Sequence, residues 1–186
     1  MSERENNSKE APKTAGAKAT NTLLLSSKEA DILTGMKSLN QRGDLSSLSI
    51  LIELLAKPAT SDRVKQEIIK VIHELKLPGA ATIVIPALSD PKNRAIRQQL
   101  LSATWNARLD VSGYLHVIAA ILIDCDYETG IECFTLLDNL DKLPDEGSLA
   151  EAQLILAEYL ALKPNPETEP LVRASLDLLT AISRSS

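Results

Sequence analysis

The sequence predicts an all-α chain arranged as an array of helix pairs, and three observations carry that prediction. Pro58 and Pro91 stand 33 residues apart, and Pro78 and Pro144 stand 66 apart, twice the first interval. Proline lacks a backbone N–H and its ring clashes with the preceding turn, so its recurrence at a fixed interval marks the same turn in successive copies of one unit. Apolar residues recur at helical spacing, and the strict alternation of a half-exposed strand is missing. Hydrophobic residues make up 44% of the 186 residues but aromatic ones only 3%, so Leu, Ile, Val and Ala fill the core. A chain of this length buries a continuous core as one domain or one short array.

Residues 1–21 are polar and rich in Lys, Ser, Thr and Ala, and read as a disordered tail ahead of a folded domain over 22–186. Ser26 with Glu29 fits a capping box, which predicts an N-terminal capping helix over 27–41. Its apolar stripe is Ile32 or Leu33, Met36 and Leu39, with Gly43 as its stop. Four helix pairs follow from Asp44. The first has an outer helix over 45–56, a turn at Pro58, and an inner helix over 62–76 that buries Val64, Ile68, Val71 or Ile72, and Leu75. Lys76-Leu77-Pro78-Gly79 ends it. The second spans 80–88 and 92–107, with Asp90 as cap, Pro91 at the first helical position, and Ile96, Leu100, Ala103 and Ala107 inward. The third has an outer helix over 111–123, apolar nearly all round as a sandwiched helix is, and an inner helix over 127–140 with Ile131, Phe134 and Leu137 inward. Lys142-Leu143-Pro144 repeats the earlier Lys-Leu-Pro. The fourth spans 146–162 and 167–184, with Leu171, Ser175, Leu178 or Leu179, and Ile182 inward.

The pairs carry a second regularity. Asp62 precedes Val64-Lys65, Ala87-Leu88-Ser89-Asp90 precedes Ile96-Arg97, Asp124-Cys125-Asp126 precedes Ile131-Glu132, and Asn165 precedes Val172-Arg173. Over 44–184 this resembles the HEAT repeat, in which a turn Asp and an early Val-Arg or Val-Lys pair recur. Glu132 departs from that pattern by standing where a base is usual, and an armadillo-like or other helical-hairpin array fits the spacing as well. The resemblance implies a right-handed α-solenoid of stacked antiparallel pairs whose inner helices line a concave, macromolecule-binding surface. By that analogy the groove floor runs from Arg63, Gln66, Lys70 and His73 through Arg94, Arg97, Gln98, Trp105 and Arg108 to Glu128, Glu132, Thr135 and Asp138, then Arg173 and Asp177.

Charge supports a graded surface. The net charge is −5, yet residues 1–110 hold 16 basic and 12 acidic side chains while the remainder hold 4 and 13. Such asymmetry selects complementary partners or favours head-to-tail contact between copies, and equally describes a solubilising acidic end. Arg97, Leu101, Trp105 and Arg108 share one helical face, and Trp and Arg dominate binding hot spots. The competing reading has Trp105 filling the core and the arginines paired with Asp90, Asp126 or Glu132. Lys70, Arg94, Arg97, Trp105, Arg108, Glu128, Glu132 and Asp138 are therefore the candidate partner-binding residues.

No cofactor, metal or catalytic signature stands out. His73 and His116 lack a second His or Cys at i+3 or i+4, so a zinc site is not supported and His116 reads as a hydrogen-bonded core histidine. Asp124, Asp126 and Glu128 have the alternate spacing of a calcium loop, but Thr129 and Thr135 occupy the glycine and bidentate-acid positions. Cys125 and Cys133, eight apart along a helix and its leading turn, read as reduced thiols about 12 Å apart, outside disulfide range. The opening MSERENNSKEAPKTAGAKAT has no apolar secretory core, and the apolar run 114–123 falls short of the roughly 20 residues that span a bilayer. The expectation is a soluble cytoplasmic scaffold that binds a protein or peptide without catalysis. The acidic C-terminal third argues against a duplex along the whole groove. Ranked last is an enzyme similar to HEAT-like lyases, which needs a deep pocket of titratable groups.

Overall fold

The computed structural model describes residues 11–42, 45–74, 76–162 and 164–185. Among these, every regular element is helical, and none is long and apolar enough to cross a membrane. The chain divides into two compact units, Met1–Ile83 and Val84–Ser186.

In the first unit, α1 (Ala11–Leu24) occupies half of the segment that reads as a polar tail. The correction has a physical basis: alanines carry the lowest helical cost, and a few small side chains suffice for docking. Leu24 is fully buried, with Ala17 and Thr20 nearly so, where α1 packs on α2 (Glu29–Arg42) and on α3 (Leu45–Ala56). The Asn21 side chain donates to Ser46 Oγ (2.7 Å) and accepts from Ser47 Oγ (2.6 Å), which ties α1 to α3. The helix read as a lone cap thus has a partner on its N-terminal side. Residues 1–10 and Gly43 lie outside the described residues.

The expected Ser26–Glu29 capping box is not formed. Ser26 Oγ accepts from Lys28 N (3.1 Å) and donates to Asp31 (2.7 Å). Glu29 instead accepts from Ser61 Oγ (2.8 Å) and lies 3.6 Å from Arg63, at the start of α4 (Asp62–His73), which packs on α2 and α3. Helix α4 buries Val64, Ile68, Val71 and Ile72 as expected; Leu75 lies outside the described residues. The Leu77-Pro78-Gly79-Ala80 turn is closed by Ala80 N donating to Leu77 O (3.1 Å), with Gly79 at φ 80°. A type II turn of this kind takes proline second and glycine third, because only glycine enters the left-handed region freely.

Helix α5 (Ala81–Ser89) contains Pro86, so not every proline here marks a turn. In the second unit the segment expected as one helix over 92–107 divides into a 3-10 stretch, Pro91–Ile96, and α6 (Arg97–Asn106). Asp90 caps it, accepting from Lys92 N (3.0 Å). Two long side chains then reach back to the end of α5: Asn93 Nδ2 donates to Ala87 O (2.9 Å) and Arg97 Nε to Leu88 O (2.9 Å). Those carbonyls lack helical donors, and the tighter 3-10 winding brings Asn93 and Arg97 over them.

Helix α7 (Leu115–Leu122) packs against α8 (Tyr127–Asp138) and α9 (Glu146–Ala161). Helix α8 also contacts α6 and α10 (Glu169–Ser185), and α10 contacts α9. With neighbours on three sides, α8 buries Thr129, Gly130, Cys133, Leu136 and Leu137. Ile131, expected inward, is 41% exposed, and Phe134 is half-buried. The buried arc is offset by one residue from the bulky apolar stripe, because Gly130 is the point of closest approach: a Cβ there would stand 3.0 Å from Leu171 Cδ1 and 3.5 Å from Leu122 Cδ1.

Several long-range polar links in this unit span 32 or 33 residues. Ser148 Oγ accepts from Leu115 N (2.8 Å), Asp145 N donates to Ser112 O (3.2 Å), and Lys142 Nζ reaches Asp110 (2.6 Å). The interval equals the Pro58–Pro91 spacing to within one residue. Asp110 also accepts from Ser112 Oγ (2.7 Å), and these donors, Lys142 first, hold its carboxyl at about 2 rather than 3.8. A lowered folded pKa stabilises the protein above the ordinary value, and that contribution is lost as pH falls through the folded one. The melting temperatures of wild type and Asp110→Asn should therefore converge as pH drops from 3.8 to about 2, from a modest initial gap because water screens an exposed pair. A gap constant across that window would show that Lys142 contributes nothing.

Candidate interaction face on helices α6 and α8

The residues named from sequence fall into three environments. Lys70 lies on α4 in the first unit, exposed and paired with Glu67 at 2.6 Å. The other seven belong to the second unit. Arg97 is only 7% exposed, so the stripe Arg97, Leu101, Trp105, Arg108 is not an open face: Arg97 and Leu101 are buried. The stripe points toward α8, where Trp105 Nε1 donates to Glu132 Oε2 (2.8 Å). The two sequence readings thus merge, with a half-buried Trp105 fixed by the acid that broke the repeat pattern. A neutral indole donor satisfies one oxygen of Glu132.

Arg94 is exposed at the start of this region; its guanidinium donates to Asp124 O (3.2 Å) and stands 3.7 Å from the Asp124 carboxylate. Asp124 is thereby engaged, and Asp126 accepts from Thr129 N (2.9 Å) as the cap of α8. That hydrogen bond, foremost, holds the Asp126 carboxyl below its ordinary range. Of the three acids, Asp126 serves as the cap of α8 and Asp124 as the partner of Arg94.

Arg108 has φ 52°, the left-handed region that favours glycine. It follows the end of α6: Leu109 N donates to Thr104 O (3.1 Å) and Arg108 N to Trp105 O (3.0 Å). This pair of bonds is a Schellman closure, whose left-handed position is normally glycine, and a side chain there costs about 1–2 kcal/mol. Arg108 is exposed and makes no ion pair with a described residue. It lines, with Trp105, Asp110, Leu136 and Asn139, a cleft of about 180 Å³. Glu128 and Asp138 are exposed at the two ends of α8, and between them Ile131 is exposed on the same face.

One feature escaped the sequence reading. Ser148, nearly buried, holds Leu115 N and lies 3.2 Å from His116 Nδ1, with Glu151 at 3.9 Å from the same nitrogen; His116 is therefore half-exposed at a helix start rather than enclosed. Cys125 sits in the turn before α8, as the sequence places it, so helical rise alone does not set its distance from Cys133. Its Sγ donates to Leu122 O (3.3 Å), and both cysteines are free. The repeated Asp at the turn was the one available signal for that bend.

No family model matches the chain, nor does any curated protein or solved structure.

Proposed function

We propose that this protein is a noncatalytic α-solenoid scaffold, HEAT-like in its repeats, that binds a protein or peptide on the face made by α6 and α8. The order of packing supports the repeat reading: α6, α8 and α10 contact one another in sequence, as do α7 and α9. In the first unit α2 contacts α4 and α1 contacts α3. Helices two apart in the chain are neighbours in a stack of antiparallel pairs.

The observation that carries the binding assignment is Arg108, a charged side chain held at φ 52° beside a half-buried tryptophan. A strained arginine with no ion pair among the described residues stands there at a cost, and such outliers concentrate at functional positions. Trp105 offers a rigid anchor held by Glu132, Ile131 an apolar contact, and Glu128 and Asp138 the acids for a basic flank of the ligand. The favoured ligand is thus an extended segment with an acidic residue for Arg108 and basic residues for α8. A nucleic acid would meet those acids in the same face.

The test is selection of peptides from a random display library on wild-type protein, followed by affinity measurement on Trp105→Ala and Arg108→Glu. Loss of affinity by about tenfold to a hundredfold, the range of hot-spot residues, is the expected result, with Glu158→Lys at an exposed position of α9 unaffected. Undiminished binding by both variants, with unchanged melting temperatures, would remove this face from consideration.

A further inference from the structure

A second site lies at the opposite end of α6 from Trp105 and Arg108, where the start of that helix, the α7–α8 turn and Asn165 surround a cleft of about 330 Å³. Arg97 lines it while being only 7% exposed. Its Nε donates to Leu88 O (2.9 Å), but no described residue accepts from its two terminal nitrogens, and no described carboxylate comes within ion-pair distance of them. Neither terminal nitrogen is sealed in the core without a partner, so both open on the cleft. Burying a cation without a counter-charge is costly. The carbonyl end of α5 offsets part of that cost, and no described side chain meets the rest.

The wall around this guanidinium is mixed in charge. Arg94 stands at the mouth with its side chain 65% exposed. It donates to Asp124 O at 3.2 Å but lies 3.7 Å from the Asp124 carboxylate, beyond hydrogen-bond reach. Asp126 lines the cleft as well, and accepts from Thr129 N as the cap of α8. Asn165 adds a neutral donor: its Oδ1 accepts from Glu167 N (3.0 Å), which leaves Nδ2 with no described acceptor. Each acid in the wall thus has a cation or a donor beside it, while Arg97 and Asn165 have hydrogens left to give.

We infer that this cleft binds a single carboxylate group, held on the outer edge of the Arg97 guanidinium with Arg94 and the Asn165 amide at the rim. A carboxylate is flat, carries one charge, and matches the guanidinium fork with two parallel hydrogen bonds. A phosphate monoester brings a charge of about −1.5 to −2, and the excess faces Asp124 and Asp126. Small-molecule sites run from about 300 to 1,000 Å³, so a cleft at the low end takes a ligand of few atoms or the last residue of a chain. Two sources share this chemistry, a free small carboxylate and the C-terminal carboxylate of a peptide.

Nuclear magnetic resonance on protein with isotope-labelled arginine reads the site directly, because Leu88 O holds the Arg97 Nε–H in a buried setting. Titration with N-acetylglycine should shift that signal saturably. The methylamide of N-acetylglycine, which keeps the skeleton without the charge, should leave it in place. Equal shifts from both, or none from either, would overturn the site. Inorganic phosphate should bind more weakly than N-acetylglycine, and binding as tight or tighter would overturn carboxylate as the class. N-acetyl-trialanine with a free C-terminus separates the two sources: higher affinity than N-acetylglycine assigns the cleft to peptide ends, equal or lower affinity to free small carboxylates. Two substitutions at exposed positions complete the test. Arg94→Gln should weaken N-acetylglycine binding and Asp124→Asn strengthen it, each by about twofold to fivefold, the worth of an exposed charge pair. Unchanged affinity in both variants, or changes in the opposite directions, would defeat the inference.

Discussion

Leu122→Ala is expected to destabilise the second unit by about 2–5 kcal/mol, the range for deleting a fully buried leucine side chain. Leu122 has no exposure and ends α7 directly beneath Gly130. Its neighbours have little freedom to close the gap, because α8 is held on three sides by α6, α7 and α10. Chemical denaturation followed by circular dichroism measures the loss. Leu143→Ala, at a leucine 75% exposed, is the internal control and should stay within about 0.5 kcal/mol of wild type. If the two substitutions were equally mild, the convergence of helices at Gly130 would not be the core of this unit.

Ser148→Ala comes second in size. Helix α7 has no side-chain cap of its own, since Tyr114 at its N-cap makes no such bond. The Leu115 N–H is served instead by Ser148 Oγ at 2.8 Å, in a buried setting. Alanine removes the acceptor and leaves a buried donor unmatched, a loss of about 1–3 kcal/mol. Ser148→Thr keeps the hydroxyl and should recover most of it. Equilibrium unfolding of the three proteins decides the matter, and a Thr variant no better than Ala would mean that the hydroxyl is not the stabilising group.

Helix positions were the most legible part of this chain, because turn chemistry is local. Ser61, Asp90, Asp126 and Asp145 each cap the helix that follows them, with a side chain accepting from a backbone N–H two or three residues on. Such bonds are written into four consecutive residues and survive any tertiary arrangement. Burial of individual side chains was less legible. Ile131 and Arg97 were each assigned to the wrong side because hydrophobicity was taken as the guide, whereas close approach at Gly130 and unmet carbonyls on α5 decided their positions. The polar segment preceding Leu24 became a helix because small residues dock where large ones would not fit, a property that hydropathy does not record. On the facing sides of α6 and α8 the sequence offered residue types but not their pairing: Glu132 is explained by the indole 2.8 Å away, on a helix 27 residues earlier.

The bond from Leu115 to Ser148 has a consequence for the order in which the chain is made. Residue 115 leaves the ribosome 33 residues before its acceptor does, at a rate of about 5–20 residues per second. For a period of seconds α7, the most apolar helix in the molecule, exists with an open first turn that nothing upstream of it can close. Assembly of this unit from its N-terminal end therefore leaves the start of α7 incomplete until the first turn of α9 has been synthesised.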